Sequence, residues 1–193
     1  MRLAVLILLL TLPGPIQAQA GSASSAPPRA KATGAVLLKG SQVAGTDRLF
    51  MGGWAGLVFG DRLAIGGGGL ALSKNVELVG SESSTGFDLG MGYGGLTVRY
   101  WHPWISRVTG EMGLLLGAGH AQVRDRLVGT EVASDNFMVA EPEAALFVTT
   151  LPWLHLGASV GYRMVWGVED LPRVITEDLR SFTATISLRI GGS

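Results

Sequence analysis

Hydrophobic residues in this chain recur at every second position, and glycines fall inside nearly every apolar segment. A helix groups its apolar residues every three to four positions, and each interior Gly costs it about 1 kcal/mol relative to Ala. Period two is the mark of a strand with two unlike faces. In 153–166 the even positions read Leu154, Leu156, Ala158, Val160, Tyr162, Met164 and Trp166. The odd positions between them carry His155, Gly157, Ser159, Gly161 and Arg163. In 108–120 Val108, Met112, Leu114, Leu116 and Ala118 alternate with Thr109, Glu111, Gly113, Gly117 and Gly119. In 136–149 Met138, Ala140, Pro142, Ala144, Leu146 and Val148 share one parity, and Glu141 and Glu143 share the other. Phe182, Ala184, Ile186, Leu188 and Ile190 repeat the pattern against Thr183, Thr185, Ser187 and Arg189. The fold class that follows is all-β.

Eight strands are expected, at about 34–43, 48–59, 62–73, 86–101, 105–123, 136–150, 153–167 and 181–190. The fourth changes phase at Gly94-Gly95. Phe87, Leu89, Met91 and Tyr93 precede the pair on one parity, and Leu96, Val98 and Tyr100 follow on the other. A β-bulge at the glycines would keep all seven on one face. Short connections occur at Gly60-Asp61, near His102-Pro103-Trp104 and at Leu151-Pro152. Longer polar ones, Lys74–Thr85, Arg124–Asp135 and Val168–Arg180, lie between them. Short and long connections alternating along an even number of strands describe an eight-stranded up-and-down antiparallel barrel, with the three long loops at one end. The first connection, 44–48, is shorter than this scheme asks. The run Gly66–Gly69 lacks the Lys-Ser/Thr of a phosphate loop and reads as a site of curvature or close strand approach.

Ahead of the barrel, residues 1–20 read as a cleaved secretory signal. Arg2 is followed by the apolar run Leu3–Leu12, breakers at Pro13 and Pro15, and the small-x-small site Ala18-Gln19-Ala20. The run is too short for a spanning helix, which needs about 20 residues. Residues 21–33 read as a flexible leader and 34–193 as the barrel domain.

Which face meets water follows from charge. The chain has 15 basic and 15 acidic side chains, only 16% charged in all, and the strands hold few of them. A soluble barrel surface needs more. The bulky even face therefore suits lipid, and the small and charged odd face fills a narrow lumen. Outward orientation is expected for Leu114, Leu116, Leu154, Leu156, Val160, Met164, Ile186 and Leu188. The interior charge cluster is expected to comprise Glu111, Glu141, Glu143, Arg163, Arg99 and Arg189, paired as a plug because buried charge is costly alone. Glu141 is expected as the partner of Arg163, directly opposite it at a pairing index sum of 304, or diagonal to it and across from Gly161 at a sum of 302. Aromatics form two bands, the interfacial girdles of a membrane barrel. Phe59, Tyr100, Trp101, Trp104, Phe147 and Trp153 lie beside the short turns; Phe50, Phe87, Phe137, Trp166 and Phe182 lie toward the long loops.

Several chemistries are excluded or disfavoured. With no cysteine there is no disulfide scaffold, thiolate metal site or thiol nucleophile. Balanced charge leaves no footprint for nucleic acid. His102, His120 and His155 lack metal-ligand spacing, so no metal and no cofactor is expected. His155 and Ser159 share a face but lie about 13 Å apart at strand geometry, too far for a nucleophile and its base. No catalytic residue is expected.

The runs Gly66-Gly67-Gly68-Gly69, Tyr93-Gly94-Gly95-Leu96, Glu141-Pro142 and Gly161-Tyr162-Arg163 with Gly167 carry a resemblance. Over about 34–190 the chain resembles the small eight-stranded outer-membrane barrels of Gram-negative bacteria, such as the transmembrane domain of outer membrane protein A, and a group of secreted barrel proteins of this length. It departs from them in closing on Leu188-Arg189-Ile190-Gly191-Gly192-Ser193 rather than on an aromatic residue. The resemblance implies a monomeric, porin-like membrane protein with both termini in the periplasm. Its partners would be outer-membrane lipid and the barrel-assembly machinery, and its role structural or that of a surface receptor through the loops. Two alternatives remain at this point: a secreted or periplasmic lipocalin-like barrel holding an apolar ligand inside, and an outer-membrane lipid hydrolase.

Overall fold

The structure, a computed structural model, describes residues 31–78, 87–125, 129–169, 171 and 174–191. The stretches expected as a signal sequence, 1–20, and most of that expected as a leader, 21–33, lie outside the described residues. Eight long strands form the wall: β1 (Lys31–Val43), β2 (Thr46–Phe59), β3 (Leu63–Leu72), β5 (Phe87–Ile105), β6 (Val108–Asp125), β7 (Glu131–Leu151), β8 (Leu154–Trp166) and β9 (Ser181–Ile190). A short strand, β4 (Val76–Leu78), extends β5 beyond the wall, and a one-turn helix, α1 (Thr176–Leu179), precedes β9. Each barrel strand pairs antiparallel with its sequence neighbour, and β1 pairs with β9 to close the ring. The fold is the expected eight-stranded up-and-down barrel.

Closure depends on the glycines. β2, β3 and β5 meet along Gly52, Gly53 and Gly56, the run 66–69, and Gly94-Gly95. A Cβ at Gly66 would run into the Ala55 carbonyl, and one at Gly52 into that of Gly69. Bare backbone lets adjacent strands coil more tightly than side chains allow. The hairpins at the two ends of β2 also need positive φ. Ala44 and Gly45 (48° and 70°) join β1 to β2 in two residues, and Gly60 and Asp61 (57° and 61°), followed by Arg62, join β2 to β3. Such left-handed pairs match the strand twist. This accounts for the short first connection: a two-residue turn suffices.

Four expectations on the strands are corrected. The short connection expected near His102-Pro103-Trp104 lies at Ser106-Arg107, because those three residues are still in β5, which pairs on to Ile105 opposite Val108. The first strand starts sooner than expected, since Lys31, Ala32 and Thr33 already pair with Val58, Leu57 and Gly56. The loop placed at Arg124–Asp135 is mostly strand, because β6 runs to Asp125 and β7 starts at Glu131. No bulge occurs at Gly94-Gly95, where pairing to β3 and β6 is continuous. Leu89, Met91 and Tyr93 face inward there, whereas Leu96, Val98 and Tyr100 face outward. The phase change is a change in what fills the lumen, from apolar toward the loops to polar below.

Even positions on β5 to β9 point outward. Leu114, Leu116, Leu156, Val160, Ile186 and Leu188 are exposed, and Leu154 and Met164 half so, as expected. On β1 the outward residues are Val36 and Leu38; on β2 they are Leu49, Met51 and Leu57. From Tyr100 and Trp153 at the turn end to Met138 and Trp166 at the loop end, this outer wall carries no charged side chain. The described chain ends, Lys31 and Gly191, lie at the turn end. The loop-end segments meet one another: Ala44 N–H donates to the Asp178 carbonyl at 2.9 Å. Glu169 N–H donates to Asp135 Oδ2 at 2.7 Å.

Candidate functional site: the barrel interior

The lumen is filled in two layers. Toward the loops it is a hydrophobic core of Val43, Phe50, Leu89, Met91, Phe137, Val139 and Val165. The segment following β8 folds back over this core. Val168, Leu171, Val174 and Leu179 are buried against it, and α1 sits on the barrel mouth. The described part of the third long connection, Val168–Arg180, is thus a cap as much as a surface loop.

Below the cap the interior is polar. Five close ion pairs run through it as one chain. Glu141 meets Lys39 at 2.6 Å, and Lys39 meets Glu143 at 3.4 Å. Glu143 meets Arg99 at 3.1 Å, and Arg99 meets Glu111 at 2.7 Å. Glu111 meets Arg189 at 2.6 Å. Three carboxylates and three cations alternate, so the chain is neutral, and every member is almost wholly shielded. The remaining lone pairs are partly satisfied by hydroxyls: Tyr93 and Thr183 donate to Glu141 at 2.8 and 2.9 Å. Aromatic faces cover the guanidiniums. Arg99 lies 4.7 Å from the Trp54 ring centroid, and Arg189 lies 4.1 Å from that of Phe147 and 5.2 Å from that of Trp101. Such contacts strengthen when desolvated.

All six residues expected inside are inside. Five of them join the chain, and Arg163 does not. The β7–β8 register has the expected sum of 304, with Ala140 opposite Met164 and Glu143 opposite Gly161, so Glu141 stands across from Arg163. The pair nevertheless does not form. Arg163 turns toward the loops, 0% exposed, and donates to the carbonyls of Leu179 at 2.7 Å and Gln42 at 2.9 Å. It lies over Phe50 at 4.9 Å, and Glu141 takes Lys39 instead. Arg163 therefore ties the cap to the wall. Lys39 is the member the sequence reading omitted. Its signal was its parity, shared with Ala35, Leu37, Ser41 and Val43 on β1.

The aromatic bands are half corrected. Phe59, Tyr100, Trp104, Trp153, Trp166 and Phe182 are exposed on the outside, Phe182 by 81%. Trp101, Phe137, Phe147 and Phe50 are buried inside, and Phe87 packs against the core. Position along a strand sets height, but parity sets the face, and these five have inward parity. The inward rings have work of their own. Trp101 donates its indole N–H to the Asp61 carbonyl at 2.9 Å. Phe137 and Phe147 fill the space over Gly119 and Gly157, where a Cβ would strike them.

Catalytic geometry does not assemble among the described residues. His155 is bonded through Nδ1 to Thr149 Oγ1 at 3.0 Å, while its Nε2 and Ser159 Oγ make no hydrogen bond. His120 lies outside, 3.1 Å from Asn136, and His102 is exposed near a turn. The cavity beside Lys39, Arg99, Glu141 and Glu143 measures about 10 Å³, at the threshold for one water molecule.

No family model and no curated sequence matches this chain. Solved structures do. The crystal structure of Neisserial surface protein A matches with TM-score 0.60 at 17% identity, over 83% of this chain and 96% of that one. The N-terminal β-barrel domain of Pseudomonas aeruginosa OprF matches with TM-score 0.49 at 11% identity, over 84% and 99%. Ail, the attachment invasion locus protein of Yersinia pestis, matches with TM-score 0.46 at 14% identity, over 84% and 95%. The chain shares the fold of small eight-stranded outer-membrane barrels.

Proposed function

We propose that this chain is an integral outer-membrane protein whose barrel is sealed, and that it serves as a non-enzymatic scaffold presenting its loop end at the cell surface. The observation that carries the reading is the pairing of an uncharged apolar outer wall with a filled lumen. Lipid is the medium that tolerates such a wall. The ion-pair chain acts as a plug, and the cap held by Arg163 closes the end above it. Eight strands leave too little room for an open channel once side chains fill them. The lipocalin-like reading loses its support, because the residues it needs inside point out and no ligand-sized space lies among the buried charges. A hydrolase reading lacks a positioned nucleophile and base. Outer-membrane lipid and the barrel-assembly machinery are the partners this reading requires, with the chain as a monomer.

The test is conductance. Folded protein added to a planar lipid bilayer should give no steady ionic current. A stable porin-like conductance from the wild-type chain would overturn the sealed scaffold.

A further inference from the structure

The outer wall is not smooth. Near the turn end, between β5 and β8, it is hollowed into a groove of about 600 Å³. The floor forms where small outward residues fall beside one another: Gly110 on β6, Ala144 on β7 and Ala158 on β8. The registers raise walls around them. Gly110 stands opposite Leu146, Ala144 opposite Met112 and Val160, and Ala158 opposite Leu146. Tyr100, His102 and Trp104 close the end nearest the turns. The volume falls within the range of about 300–1,000 Å³ typical of small-ligand sites.

A second cavity of about 480 Å³ also has Trp104 in its lining. It holds Arg62 and Arg107, from the β2–β3 and β5–β6 turns. Both are exposed, and neither has an ion-pair partner among the described residues. The nearby Asp61 is engaged by Lys31 at 3.1 Å, so it does not neutralise them. Two guanidiniums therefore sit at the end of an apolar groove, where the wall meets water. Guanidinium binds phosphate through paired N–H donors. A Trp between apolar and wet surroundings has the usual interfacial setting of that residue.

We propose that the two cavities together bind one anionic phospholipid of the periplasmic leaflet. One acyl chain lies in the groove, the phosphate meets Arg62 and Arg107, and Trp104 packs between them. The inference rests on the membrane reading above. A chain held on several sides gains dispersion contacts that lipid against a flat wall lacks, so this lipid exchanges more slowly than its neighbours.

The test folds the full chain into nanodiscs of equal phosphatidylglycerol and phosphatidylcholine, then releases it for native mass spectrometry. The expected spectrum is a monomer carrying one phosphatidylglycerol. Filling the groove with Ala144→Leu and Ala158→Leu should cut that adduct at least tenfold. Arg62→Gln with Arg107→Gln should keep a lipid but lose the preference for phosphatidylglycerol. Ala118→Leu, outward on β6 beyond the groove, should change nothing. Equal adducts on wild-type and filled barrels, or an unchanged preference without the arginines, would overturn the proposal. So would a wild-type dimer that the filled groove abolishes, which would make a second copy the occupant. A heat-dependent gel shift reads separately whether each variant is a folded barrel. Its absence in the wild type would count against the membrane reading itself.

Discussion

Glu111 is the most exposed point of failure at the residue scale, because it holds two buried guanidiniums at once, Arg99 at 2.7 Å and Arg189 at 2.6 Å. Arg99 keeps Glu143 if Glu111 is lost, but Arg189 has no second carboxylate among the described residues. Removing one partner of a buried pair costs about 3–5 kcal/mol, mostly the penalty of the charge left behind. Glu111→Gln should destabilise the barrel by about that amount in urea titrations with lipid vesicles, and adding Arg189→Met should recover part of it. A second expectation concerns partners. A double-mutant cycle on Lys39 and Glu141 should show coupling of about 0.5–3 kcal/mol. The cycle on Glu141 and Arg163 should be close to additive, although those two stand opposite in register. Coupling in the second cycle and none in the first would reverse the assignment. Parity alone made Glu111, Glu141, Glu143, Arg99, Arg163 and Arg189 legible as interior residues. Their partners were not legible, since contacts across a lumen join strands far apart in order, as Lys39 on β1 and Glu141 on β7 do.

Single elements show the same limit from another side. Alternation located five of the barrel strands and two of the three short turns closely, whereas β2 and β3, rich in glycine, do not alternate cleanly. It misled on β5 because a strand that fills an apolar layer and then a polar one changes which parity is hydrophobic without any change in backbone. Leu89 and Arg99 both point inward, one into the core under the cap and the other into the ion-pair chain. The cap itself had no sequence signal beyond Val168, Leu171, Val174 and Leu179 spaced through a polar segment. Leu179 is fully buried there, and its carbonyl accepts from Arg163. Leu179→Ala should cost about 2–5 kcal/mol, as for other buried leucines. It should also speed protease cleavage within 168–180 on intact cells. Equal cleavage of mutant and wild type would mean the cap is not held by that packing. At β8, Gly157 leaves room for the Phe147 ring. Gly157→Ala should destabilise, and Phe147→Leu in the same chain should relieve part of the loss, read by the urea midpoint of each variant.

The molecule as a whole inverts the arrangement of a soluble barrel: apolar side chains cover the outside, buried charges fill one layer of the lumen, and the cap closes an ordinary hydrophobic core in the other. An uncharged wall of this kind predicts that the purified protein needs detergent, and that folded and boiled forms run differently on a gel. The natural chain has no cysteine, so a single introduced thiol reports one position without background. The most direct measurement labels Cys variants at Leu116, Leu156, Val160 and Ile186 with a fluorophore and compares quenching by doxyl-labelled lipid with quenching by aqueous iodide. All four should be quenched by the lipid probe and hardly by iodide. Strong iodide quenching, or no quenching by either, would contradict the claim that this face of the barrel lies in the membrane.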